Sequence, residues 1–282
     1  MEPAALADPR ARLPVVATFS ILADFVSNVG GERVEVAALV GPNGDTHVYQ
    51  PFPADAERLG KARLIVENGL GLEGWIDRLV LASGAKAPVI VAAKGIKPLQ
   101  MREDGRIGED PHAWQSVANA KIYAANIRDG LIAADPEGEA EYRANAEAYL
   151  AKLSALENEI RAEIAKIPPE RRQIITTHDA FGYFGTAYGF QFIAPEGIST
   201  ETEASARDVA KIIRQIKAKK IPAVFLENVT DPRLIRRIAA ETGAKIGGSL
   251  YSDALSPPDG PAPSYIDMMR HNVRELTAVL AE

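Results

Sequence analysis

"LPVVATFSILADFVSNVGGERVEVAALV", residues 13–40, decides the architecture. Its first third, "LPVVATF" (13–19), is an apolar run that reads as a buried strand. "SILADFVSNVGG" (20–31) then carries apolar residues at helical spacing and closes on Gly30 and Gly31, a helix stop. "RVEVAALV" (33–40) alternates as a second strand. Two strands joined through a helix make a parallel βαβ unit.

The pattern continues outward from this unit. "ADAERLGKA" (54–62) reads as a short helix, "RLIVEN" (63–68) as a strand, "LEGWIDRLVLASG" (72–84) as a helix stopped by Gly84, and "APVIVAA" (87–93) as a fourth strand. From Ser116 to Lys166 the chain changes character and becomes rich in Ala, Glu, Leu, Arg and Lys. Asp135-Pro136 divides this stretch into two helices. The second, from Glu137 to Ile167, would extend ~45 Å at 1.5 Å per residue, and Pro168-Pro169 ends it. Strand and helix signals then alternate again from "QIITT" (173–177) to the amphipathic "SYIDMMRHNVRELTAVL" (264–280). The expectation is an α/β fold of two Rossmann-like lobes with parallel sheets, joined by a single long backbone α-helix. The boundaries expected are 1–136 for the first lobe, 137–168 for the linking helix and 169–282 for the second. One stiff helical connection would allow a modest tilt of the lobes rather than a wide hinge.

Composition excludes several functions. The chain has no cysteine, so disulfides, thiolate metal sites and cysteine nucleophiles are absent. A net charge of -6 without a basic block speaks against nucleic acid as a partner. No apolar run approaches the ~18 residues that span a membrane. The opening "MEPAALADPRARLPVVATF" lacks the basic and apolar regions of a signal peptide.

With only four histidines in 282 residues, their placement is informative. His47 lies in the turn "GPNGDTHVYQP" (41–51), after a strand. His112 lies in "GEDPHAWQ" (108–115), just before a helix, and His178 in "IITTHDAFGYF" (174–184), directly after a strand. Ligands of open α/β sheets collect at the carboxyl ends of strands. Each of the three also neighbours an aspartate: Asp45, Asp110 or Asp179. A solvated loop role and a shared metal site both remain open for them. Asp253 in "GGSLYSDALS" (247–256), after the last strand, is the candidate fourth donor, with a turn or capping role as its alternative. His271 falls inside the last helix and reads as a partly packed surface residue.

Taken in order, "VATFSILADFVSNVGG", "GPNGDTHVYQP", "NGLGLEGWIDRL", "EDPHAW", "TTHDAFGYFGTAYGF", "GISTETEASARDVA", "VFLEN" and "GGSLYSDAL" resemble the zinc and manganese receptor class of periplasmic substrate-binding proteins of ABC transporters. The resemblance runs from about residue 14 to the end. It implies two lobes bridged by a long helix, with metal held in the cleft. His47 and His112 would come from the first lobe, His178 and Asp253 from the second. It further implies no catalysis, a membrane permease as partner, a metal-donor protein upstream, a monomer, and a place in the periplasm or on a lipid anchor outside the cytoplasmic membrane. The sequence departs from the zinc-specific members at "KPLQMREDGRIGED" (97–110), which is short and free of histidine, and has Thr46 and Ala204 where proline is usual.

Three imidazoles and one carboxylate suit Zn2+, and the Irving–Williams order favours it over Mn2+ at a nitrogen-rich site. Mn2+ is the alternative cargo, with iron, cobalt, nickel and copper also compatible. Glu203, Glu227 and the neighbouring aspartates are candidates to orient the imidazoles. Two rivals carry other chemistry. "GLGLEG" (69–74) matches G-x-G-x-x-G of nucleotide enzymes, but no acidic residue follows about 20 positions on. A zinc hydrolase would need an open coordination position and a general base, and no H-E-x-x-H is present. Phe181, Phe184, Tyr188, Trp75 and Trp114 read as core.

Overall fold

A computed structural model describes residues 12–103, 106–197, 199–201 and 204–281. The first lobe opens with strand β1 (Leu13–Phe19), helix α1 (Ser20–Gly30) and strand β2 (Val34–Val40). Helix α2 (Pro53–Lys61), strand β3 (Leu64–Glu67), helix α3 (Ile76–Ser83) and strand β4 (Val89–Val91) follow. The four strands form one parallel sheet in the order β2-β1-β3-β4. The central strands β1 and β3 are near-continuous apolar runs buried on both faces, while Val89 and Val91 of the edge strand β4 are exposed.

A two-stranded antiparallel hairpin, β5 (Gln100–Glu103) and β6 (Arg106–Glu109), follows where the sequence reading placed only a loop. Asp104 and Gly105 between the strands lie outside the described residues. Helices α4 (Val117–Ala134) and α5 (Glu139–Ile164) come next, separated at Asp135-Pro136. The long helix is shorter at both ends than the expected 137–167. A single 3-10 turn occupies Pro136–Gly138, and the helix yields to turns before Pro168, as proline requires.

The second lobe comprises β7 (Gln173–Ile175), α6 (Gly182–Tyr188), β8 (Gln191–Ile193), α7 (Ala206–Lys219), β9 (Ala223–Glu227), α8 (Pro232–Thr242), β10 (Lys245–Leu250) and α9 (Tyr265–Leu280). Its sheet is parallel, in the order β10-β9-β7-β8. Helices α7 and α8 cover one face through Val209, Ile212, Ile216, Ile235 and Ile238, a small core of its own. Residues of the other face belong to a core shared with the first lobe, which joins Phe19, Phe25 and Trp114 to Phe184, Phe225, Leu250 and Met268. Phe181, Phe184, Tyr188 and Trp75 are buried there as well.

The lobes therefore meet through more than one helix. Asp24 of α1 accepts the backbone N–H of Tyr265 at the start of α9 (3.0 Å), and Ser20 accepts that of Leu255 (3.0 Å). Burial pushes the Asp24 carboxyl up to about 6, against the opposing pull of the Tyr265 N–H and the Asn28 amide. A shared apolar core resists opening, which is the physical ground for a small tilt. Among the described residues no helix is long and apolar enough to cross a membrane.

Candidate metal centre

The carboxyl edges of both sheets converge on one point. His47 follows β2, His112 precedes α4, His178 follows β7 and Asp253 follows β10. One potential ligand atom from each of these four lies within 4.8 Å of every other. His47 Nε2 is 3.1 Å from His112 Nε2 and 3.4 Å from Asp253 Oδ2. His178 Nε2 is 3.0 Å from Asp253 Oδ2, and His112 Nε2 is 3.6 Å from Asp253 Oδ1. Four ligands arranged tetrahedrally at ~2.05 Å from a zinc ion stand roughly 3.3 Å apart, in the middle of these separations. His47 is 8% exposed and the other three are fully buried, so His47 marks the side that faces solvent.

The chemistry of the cluster calls for a cation. Two imidazole nitrogens 3.1 Å apart repel unless a proton or a metal lies between their lone pairs. Among the described residues no aligned hydrogen-bond donor meets either buried oxygen of Asp253, a costly state for a carboxylate. Burial would raise the Asp253 carboxyl, but the His178 and His112 imidazoles outweigh it and hold the group well below the usual carboxylate range. Burial would likewise depress His178, yet Glu227 and Asp253 together hold its imidazole well above the ordinary value.

A surrounding layer aims the rings. Asp110 Oδ1 takes both the backbone N–H (2.9 Å) and Nδ1 (2.8 Å) of His112, which leaves Nε2 as the free lone pair. Glu227 Oε1 accepts the backbone N–H groups of Thr177 (2.7 Å) and His178 (2.9 Å). Its other oxygen lies 2.6 Å from His178 Nδ1, close enough for ion pairing although not aligned as a hydrogen bond. Trp75 Nε1 donates to the Thr46 carbonyl (2.9 Å), fixing the residue before His47.

The expected role of the neighbouring aspartates holds for Asp110 only. Asp45 binds the His47 backbone N–H (2.9 Å) rather than its ring. At His178 the carboxylate beside Nδ1 is Glu227, not Asp179. Burial, with the Asp110 charge, pushes Asp179 up to about 6. Glu203 lies outside the described residues. His271 is half-buried on α9, with Nε2 2.9 Å from the Ser249 carbonyl, and does not belong to the cluster of four.

The glycine-rich turn "GLGLEG" also takes a different part. Gly69, Leu70 and Gly71 all have positive φ (82°, 55° and 81°), which curls their amides inward. That concavity holds a carboxylate of the chain itself. Glu73 Oε1 accepts the Asn68 N–H (2.6 Å) and the Thr18 hydroxyl (2.6 Å), and Oε2 accepts the Gly69 N–H (3.2 Å). The Asn68 and Gly69 amides at this turn are thus already paired with a carboxylate of the chain, and the nucleotide reading has no support. Sequence reasoning missed Glu73; its one signal was an acid two residues beyond a positive-φ glycine turn.

Known proteins bear out the class. Residues 15–279 match the family described as ZnuA, zinc-uptake complex component A, periplasmic. The chain is 36% identical over 270 residues to the manganese-binding lipoprotein MntA of Halalkalibacterium halodurans, covering 96% of this chain and 89% of that one. It is 37% identical over 267 residues to the iron-binding protein YfeA of Yersinia pestis, covering 94% and 86%. The solved structure of the periplasmic zinc-binding protein TroA from Treponema pallidum matches with a TM-score of 0.91 at 31% identity, covering 96% of this chain and 100% of that one. The chain belongs to this family, the metal-receptor class of ABC-transporter substrate-binding proteins. Its relatives bind and hand over cargo and are not enzymes, and neither is this chain; the hydrolase alternative has no support among them.

Proposed function

We propose that the chain captures a divalent transition metal between its lobes through His47, His112, His178 and Asp253, and delivers it to an ABC-transporter permease for import. The observation that carries this reading is the convergence of four ligand atoms, from sequence positions more than two hundred residues apart, within 4.8 Å. Zn2+ is the favoured cargo, because three imidazoles and one carboxylate match its preferred donors. Mn2+ and Fe2+ are the alternatives, supported by relatives named for manganese and iron. Delivery to a permease places the protein on the outer side of the cytoplasmic membrane, acting as a monomer that receives its cargo free or from a donor protein. The proposed units are residues 1–136 and 169–282, with 137–168 as the bridge. Because the ligands come from both lobes, the ion itself favours closure, and only a closed and an open form that differ at the permease can direct unloading.

Metal analysis of the purified chain with competitive Zn2+ and Mn2+ titrations tests this. His178→Ala and Asp253→Ala should each weaken binding by at least ~100-fold, since each removes a ligand outright. Titrations indistinguishable from those of the unmodified chain would overturn the ligand assignment.

A further inference from the structure

Two turns of the first lobe deliver histidines, and the second lobe grips them differently. The His112 turn is fastened by buried groups. Trp114 Nε1 and Gln115 Nε2 both donate to the Ser252 carbonyl (2.9 and 2.7 Å), and the Tyr183 hydroxyl donates to the Asp110 carbonyl (3.0 Å). Trp114, Gln115, Asp110 and Ser252 are all fully buried. Water cannot compete for these bonds, so they part only when the core opens.

The His47 turn is fastened at the rim of the cleft. The Asn43 N–H donates to the Leu255 carbonyl (2.9 Å), and Asn228 Nδ2 donates to Asn43 Oδ1 (3.2 Å). Nearest to His47, Thr200 Oγ1 donates to Asp45 Oδ2 (2.6 Å), a bond between the lobes across 155 positions of sequence. Asp45 and Thr200 are each only half-buried and Asn43 is exposed. The other oxygen of Asp45 accepts the His47 backbone N–H (2.9 Å). A single carboxylate thus shapes the turn that carries His47 and holds it to the opposite lobe.

We propose that the Thr200–Asp45 hydrogen bond is a latch that positions His47 and sets the rate at which metal leaves the cleft. The inference rests on the reading of His47 as a ligand. His47 is the ligand nearest solvent, so its turn is the one whose movement opens a path outward. Contact with a solvent-reachable hydroxyl is breakable where the buried fastening of His112 is not. Thr200 is therefore a positioning residue, acting on the metal only through Asp45 and His47.

Stopped-flow release of Zn2+ from the chain into excess chromophoric chelator measures the effect. Thr200→Val should release Zn2+ about tenfold faster, the loss expected for one hydrogen bond to a charged acceptor. Thr200→Ser, which keeps the hydroxyl, should release at the rate of the unmodified chain. The association rate should change less than the release rate in every variant. Asp45→Ala should release faster still, and adding Thr200→Val to it should change nothing further. Unaltered release from Thr200→Val, equal acceleration in Thr200→Ser, or additive effects in the double variant would each overturn the latch. Failure of the unmodified chain to take up Zn2+ would instead overturn the reading of the site, and the latch with it.

Discussion

Each lobe folds a buried glutamate onto two consecutive strand-end amides, and the two glutamates do different things. In the first lobe Glu73 pairs with the Asn68 and Gly69 N–H groups and the Thr18 hydroxyl, so both its oxygens serve the scaffold. In the second lobe Glu227 serves Thr177 and His178 through one oxygen and keeps the other 2.6 Å from the His178 ring. The same local device closes a turn in one place and aims an imidazole in the other. What separates them is the second residue of each amide pair: Gly69, which opens a glycine turn, in one lobe and His178 in the other. A buried carboxylate at a strand end is therefore not by itself a binding group.

The largest expected effect concerns the scaffold glutamate. Burial, opposed by the Thr18 and Asn68 hydrogen bonds, pushes the Glu73 carboxyl from 4.5 up to about 7. Between those values the unfolded chain has released a proton that the native chain retains, so stability falls as pH rises. The contribution is fully present below about 4.5 and is lost as pH rises through about 7. A displacement of this size corresponds to about 3 kcal/mol. Urea denaturation of the metal-free chain at pH 5 and pH 8 checks it. Glu73→Gln should flatten the decline by about that amount, with Asp24 still titrating equally in both proteins. Identical declines would mean that Glu73 is ionised throughout and the contrast between the lobes is misdrawn.

Next comes the other carboxylate. Glu227→Gln retains an oxygen for the Thr177 and His178 amides but loses the charge beside the His178 ring. Carboxylates that orient a metal-binding histidine typically contribute 10–100-fold in affinity, so Zn2+ binding should weaken by about that factor. In the metal-free chain the same substitution removes a charge that supports the raised His178 imidazole, so stability should fall as well. A variant that lost stability and kept its affinity would make Glu227 a second Glu73.

The lobes, the parallel sheets and the bridging helix were legible because strand and helix periods alternate cleanly and glycine and proline mark the breaks. His47, His112, His178 and Asp253 were legible as candidates because histidine is scarce here and three of them follow strands. The layer around them was legible only in part: Asp110 and Glu227, both candidates from the sequence, do reach the His112 and His178 rings, while the other neighbours do not. Asp45 and Asp110 each stand two residues before their histidines, yet among the described residues Asp110 binds a ring and Asp45 binds a backbone N–H. Which neighbour turns inward depends on the φ/ψ path of each turn and on the opposite lobe, and neither is periodic. Glu73 was hidden for the same reason: its partners Thr18 and Asn68 come from β1 and from the end of β3, joined only by sheet order. The shared core was equally silent, since apolar periodicity shows that a face is buried but not against which lobe.

The smallest effect tests the scaffold side of the contrast from its partner. Thr18 lies on β1, fully buried, and donates to Glu73 Oε1 at 2.6 Å. That bond favours the ionised carboxylate, so removing it makes ionisation harder. Thr18→Val should therefore cost about 1 kcal/mol, the usual net contribution of one hydrogen bond, and cost it mainly on the alkaline side. At pH 5, where Glu73 is protonated, the variant and the unmodified chain should unfold at closer urea midpoints than at pH 8. In the Glu73→Gln background this pH dependence should vanish, because no charge remains for the hydroxyl to support. Zn2+ affinity should stay unchanged throughout, since Thr18 touches the turn after β3 and nothing at the metal centre. A loss of affinity in Thr18→Val would show that the first-lobe carboxylate also supports the metal centre, through Asn68, which donates to the Pro111 carbonyl beside His112 (3.0 Å).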